Sequence, residues 1–152
     1  MEFNAIKPWV TGPEWVFEST TMQGAEESMK QLGIALLKVG EEEPATHADF
    51  VERSLQGWLD MDLDIEIHAI HWIVHLKEMP SEFDIVRLKR SAGMHNVLIK
   101  APALGIDHLL HLLQKVQPRG LVLCGSKEEK TGIKSYDFIN DLIDAMDSHQ
   151  WI

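Results

Sequence analysis

The sequence predicts an α/β fold, with α+β as the alternative: one globular domain over residues 1–152, built on a mixed sheet of about four to six strands with helices mainly on one face. Three observations predict it. The C-terminal part reads strand, helix, strand, helix, an order that favours right-handed crossovers between parallel strands. The run "MDLDIEIHAIHWIVHLKEM", residues 61–79, alternates polar and apolar side chains with the period of two that a strand requires. Finally, 45% apolar and 25% charged residues is the balance of an ordinary globular domain, in a length that suits one core better than two.

The elements follow in chain order. Short strands are expected at Phe3–Ile6 and Trp15–Ser19, where a hairpin would be punctuated by Pro8, Gly12 and Pro13. "GAEESMKQLGIALLKVGEEEP" sets Met29, Leu32, Ile34, Leu36 and Leu37 at broadly helical spacing, with Glu26 and Glu27 early and Lys38 late, and predicts a helix that stops at Gly40. "THADFVERSLQGWLDM" predicts a second helix, with Thr46 as its cap and Phe50, Leu55, Trp58 and Leu59 on one side. "EFDIVRLKRSAGMHNVLIKAP" predicts strands at Phe83–Leu88 and Asn96–Lys100, with a short helix as the alternative for the first.

"GIDHLLHLLQKVQP" is the clearest helix. Ile106, Leu109, Leu110, Leu112, Leu113 and Val116 share one side, Asp107, His108, His111, Gln114 and Lys115 the other, and Pro118 stops it. "RGLVLCG" predicts a buried strand, and "SYDFINDLIDAMDSHQWI" a closing helix with Phe138, Leu142, Ile143 and Met146 facing inward.

Residues 60–77 carry His68, His71 and His75, and their backbone decides whether these can share a metal ion. From Asp60 to Ala69 polar residues hold the even positions and apolar residues the odd ones; from Ile70 the phase reverses, with Ile73 the exception. A β-bulge near Ala69 and Ile70 would restore one continuous apolar face. Read as a helix, Asp64, His68, His71, His75 and Glu78 fall within roughly 80°, at about 100° per residue, but Glu66 and Lys77 spoil the pattern. Strand is the better fit, because β-branched and aromatic residues prefer it and "DMDLD" is a poor helix interior. On a strand, positions four apart are separated by about 13 Å, too far for one zinc. The row Asp60, Asp62, Asp64, Glu66, His68 then reads as a solvated sheet face, or as a surface that binds a basic protein and releases it on acidification.

Other motifs are weaker. "DMDLDIE" resembles a calcium loop only in its first residues, since Ile65 and His71 stand where glycine and glutamate are needed. "GSKEEKTGIKS" follows an apolar strand at the place where open α/β sheets bind ligands, so Ser126, Lys127, Lys130 and Thr131 are the small-molecule or nucleotide candidates. The P-loop spacing is nevertheless absent, and Glu128 and Glu129 oppose a phosphate. His108 and His111 are expected to be exposed. Cys124 is expected to be a buried small hydrophobe rather than a nucleophile. Trp9, Trp15, Trp58, Trp72 and Trp151 are core anchors or interface residues. No Gly-x-Ser-x-Gly elbow occurs and no Ser/His/Asp set can be assigned, so no catalytic residue is named.

The formal charge of −10 repels phosphate backbones and anionic lipid, which argues against nucleic-acid and membrane partners. No apolar run approaches the roughly 18 residues of a spanning helix, and the start lacks the charged and apolar regions of a secretory leader. A lone cysteine fits a reducing compartment. The leading expectation is a non-enzymatic cytoplasmic binding or regulatory protein. It would work through an acidic surface on a protein partner with a basic surface, as a homodimer and without a cofactor. The alternative is a protein or enzyme that uses zinc or another transition metal on His68, His71 and His75, with Asp64 beside them.

Overall fold

The computed structural model describes residues 16–19, 24–32, 34, 36–39, 49–61, 71–124, 128–130, 133, 134 and 136–149. It is an α/β structure. Six strands lie in the sheet in chain order: β1 (Val16–Ser19), β2 (Leu36–Val39), β3 (Phe50–Ser54), β4 (His71–His75), β5 (Val97–Lys100) and β6 (Gly120–Leu121). The β1–β2, β2–β3 and β5–β6 pairs are parallel. The antiparallel component is a separate ribbon of β7 (Glu128–Lys130) and β8 (Ile133–Lys134). Parallel neighbours cannot be joined by a tight turn, and helices at residues 25–32 and 106–116 intervene between β1 and β2 and between β5 and β6. The chain divides into two compact units, residues 1–73 and 74–152, and the division falls within β4.

In the first unit, helix α1 (Ala25–Leu32) places Glu26 and Glu27 in its first turn and Lys30 in its last, as the macrodipole favours. The expected continuation to Gly40 does not form. The Ile34 amide closes back on the Met29 carbonyl at 3.0 Å, and Leu36–Val39 pairs with β1 as a strand. The Leu-Leu-Lys-Val run suits either state locally, and sheet pairing decides it. The helix expected from Thr46 is likewise shorter. Phe50–Ser54 is strand β3, and only Leu55–Leu59 is helical, as α2. Ser54, with its Oγ accepting from the Gly57 amide at 3.1 Å, is the cap. This short turn buries Trp58 completely against Trp72, ring centroids 5.1 Å apart, while the Arg53 guanidinium lies 5.9 Å from the Trp72 ring.

In the second unit, residues 82–92 form helix α3 (Glu82–Ala92), not the strand expected at Phe83–Leu88. Ser81 Oγ caps it by accepting from the Asp84 amide at 3.2 Å, acids open it and Lys89 and Arg90 close it. Ile85, Leu88 and Ser91, each a turn apart, point into the core. Strand β5 forms where a strand is expected, with Val97 and Ile99 buried and Leu98 and Lys100 half-buried. Helix α4 (Ile106–Val116) buries Leu109, Leu112, Leu113 and Val116, each contributing about 1.5–3 kcal/mol. Its end is set before Pro118: Gln117 is left-handed at φ 54° and returns its amide to the Leu113 carbonyl at 2.9 Å. The predicted strand at "RGLVLCG" is only two residues long. A side chain at Gly120 would meet Leu98 Cδ2 at 3.2 Å, so glycine lets β6 approach β5 there.

Helix α5 (Asp137–Ser148) buries Leu142 fully, but Phe138 and Ile143, expected to face inward, are each 42% exposed. At about 100° per residue, Leu142 and Met146 define the inward side and Phe138 and Ile143 lie on its flanks. Helix α4 packs against both α3 and α5. Among the described residues no helix is long and apolar enough to cross a membrane.

Candidate functional site

His71 and His75 stand at the two ends of β4, so the extended backbone expected for this part of the segment is present. On such a strand they share a face about 13 Å apart. His68, Asp62, Asp64 and Glu66 lie outside the described residues; Asp60 is exposed and accepts from Gln56 Nε2 at 2.7 Å. Among the described residues no group of three or more His, Cys, Asp or Glu is gathered to hold a metal ion. Of the expected loop ligands, Lys130 ends β7 opposite Ile133, and Ser126, Lys127 and Thr131 lie outside the described residues. His108 and His111 are exposed, as expected. Cys124 is exposed rather than buried, because the strand has already ended at Leu121. Trp58 and Trp72 are core anchors; Trp9, Trp15 and Trp151 lie outside the described residues.

Two polar groups of the first unit are held inside it. The His71 amide donates to the Asp49 carbonyl at 2.9 Å, which brings His71 beside Phe50, and the rings stack with centroids 4.8 Å apart. His71 Nδ1 is buried and has no hydrogen-bond partner among the described residues. On the neighbouring strands Lys38 Nζ lies 2.7 Å from Glu18 Oε1 and 2.8 Å from Glu52 Oε2. Burial works to lower the Lys38 pKa, but hydrogen bonds to both carboxylates and their charges outweigh it and hold the ammonium above its ordinary value. These contacts are internal and organise the sheet.

The outward surface of the second unit is different in kind. Helix α5 carries Asp137, Asp141, Asp144 and Asp147, all exposed, and no lysine or arginine. Their spacing of four, three and three residues confines them to an arc of roughly 120° on the side opposite Leu142. Asp137 sits well at the helix start, but Asp144 and Asp147 occupy the final turns, where the unsatisfied carbonyls are already negative. In α1, α3 and α4 the last turn carries a basic residue; in α5 it carries none. His149 follows the helix and contacts the Ala145 carbonyl through Nδ1 at 2.8 Å. The acidic surface expected from the sequence lies in residues 60–66, not on this helix. The signal was available as aspartates at helical spacing in "DFINDLIDAMDS".

Beside it, a cleft of about 370 Å³ is lined by Leu113, Pro118, Leu121 and Met146 together with Gln117 and Arg119. No known family matches this chain, and neither a curated protein nor a solved structure is significantly similar to it.

Proposed function

We propose that this chain is a non-enzymatic binding or regulatory protein of the cytosol whose α5 carboxylates dock a protein with a basic surface. The observation that carries this reading is the arrangement of α5: a stripe of aspartates one turn apart, continued into the C-terminal turn without a compensating cation. Each such acid near a helix C-terminus costs about 0.3–1 kcal/mol and repels its neighbours. A cation brought by a partner relieves both terms. The formal charge of −10 extends the attraction beyond contact and steers a basic partner toward the protein. An exposed free thiol at Cys124 fits a reducing compartment.

The test is co-precipitation from lysate of the source cell at low salt, with elution at about 1 M salt, where charges are screened beyond about 3 Å. Asp141→Lys/Asp144→Lys should lose the salt-eluted partner. Glu26→Lys/Glu27→Lys, which changes the net charge equally on α1, should keep it. Equal retention by all three proteins would overturn the reading.

A further inference from the structure

We infer that a second copy of this chain supplies the basic surface, through the outward face of α3. This rests on the reading of α5 as a docking surface and names its occupant.

Among the described large hydrophobic residues of the second unit, Phe83, Val86 and Met94 are the most exposed, at 72%, 66% and 62%. At about 100° per residue, Phe83, Val86 and Arg90 fall within roughly 60° of one another on α3, opposite the buried Ile85 and Leu88. Exposed apolar groups gathered on one helix face in this way mark an interaction surface rather than scattered surface residues. Cations frame them. The Arg87 guanidinium lies 5.6 Å from the Phe83 ring and pairs with Asp84 at 3.8 Å, while Lys89 and Arg90 are exposed in the last turn.

Helix α5 presents the complement. Asp141, Asp144 and Asp147 run along its outward side, with Phe138 and Ile143 exposed at the margins. Phe83 to Arg90 spans about 10 Å of helix rise and Asp141 to Asp147 about 9 Å, so the two stripes match in length. A basic, apolar stripe laid along an acidic one with apolar margins satisfies the charges of both and covers the exposed rings.

Strands β4, β5 and β6 are adjacent in chain order, and α4 packs against both α3 and α5, so both faces belong to one unit. Two copies related by a two-fold axis can make the α3–α5 contact twice, and the same contact made once per junction builds chains or rings. One helix pair is smaller than a standard interface of about 800 Å² per partner, so association depends on concentration and weakens with salt.

Sedimentation equilibrium of the full chain at low salt tests this. The weight-average mass should climb with concentration above the monomer value of 17.3 kDa and return to it at high salt. Lys89→Glu/Arg90→Glu and Asp141→Lys/Asp144→Lys should each stay at the monomer mass, because each opposes like charges, and mixing the two should restore the larger species. That rescue cannot come from misfolded variants. A wild-type protein that stays monomeric throughout, or an association that both variants retain, overturns the inference, as does a mixture that stays monomeric. If the wild type is monomeric while Asp141→Lys/Asp144→Lys still abolishes partner capture from lysate, only self-association fails. Capture that the variant leaves intact defeats the underlying reading as well.

Discussion

Lys38 Nζ lies 2.8 Å from Glu52 Oε2 and 2.7 Å from Glu18 Oε1, so one ammonium ties together three neighbouring strands, β1, β2 and β3. The lysine and Glu52 side chains are only 13% and 12% exposed, whereas Glu18 is 71% exposed. The Glu52 contact is therefore the one shielded from solvent, and the Glu18 contact adds little.

Lys38→Met removes the ammonium that pairs with the shielded Glu52 carboxylate and should cost about 3 kcal/mol in urea unfolding. Adding Glu52→Gln should recover a good part of that loss, because the buried negative charge is removed with it. The lysine pKa is raised on folding, so its contribution is fully present below the unfolded value of about 10.4 and is lost as pH rises through the higher folded value. The stability gap between wild type and Lys38→Met should accordingly be flat from neutral pH to about pH 10 and narrow above it. A gap that widens there would contradict the pairing.

Trp58 and Trp72 are 0% and 2% exposed with ring centroids 5.1 Å apart. Trp58→Ala should cost about 3–5 kcal/mol, since the five-residue helix α2 has little else to anchor it. A loss below about 1 kcal/mol would mean that the pair is not a core contact.

The parts of the fold legible in the sequence are those where local pattern and tertiary packing agree. Helix α4 was readable because Leu109, Leu112, Leu113 and Val116 repeat at helical spacing and are the residues buried. Strand β5 was readable from its short apolar, β-branched run, of which Val97 and Ile99 are the residues buried. The boundaries at Leu32 and Ser54 were not, because Ile34, Leu36 and Phe50 continue a helical apolar spacing by chance while the hydrogen bonds of β2 and β3 are made to distant strands. Helix α3 was ambiguous in its apolar pattern, although Ser81 three residues before Asp84 was a capping signal. The acidic face of α5 was not legible from the apolar pattern of its segment, because two of those apolar residues, Phe138 and Ile143, are exposed.

His71 and His75 sit at opposite ends of a five-residue strand, about 13 Å apart along it, beyond the reach of two imidazoles to one ion at about 2.1 Å each. Protein purified without an affinity tag should contain less than about a tenth of an equivalent of zinc, nickel, iron or copper by elemental analysis, given that a structural site fills to a whole equivalent. A stoichiometric metal lost in His71→Ala would show that the segment before β4 completes a site.

The acids at the end of α5 make a prediction in which stability and function move apart. Asp144→Lys/Asp147→Lys complements the helix dipole and should stabilise the protein by about 1 kcal/mol, raising Tm by about 3 °C. A lower Tm would mean that these carboxylates are held by favourable contacts within the fold.

The most direct test of the docking surface is partner retention by that same Asp144→Lys/Asp147→Lys protein at low salt, measured on a sample whose folding is established by its melting curve. The account predicts a folded protein that no longer retains a basic partner, whether a second copy or another protein. Retention equal to that of the wild type would contradict it.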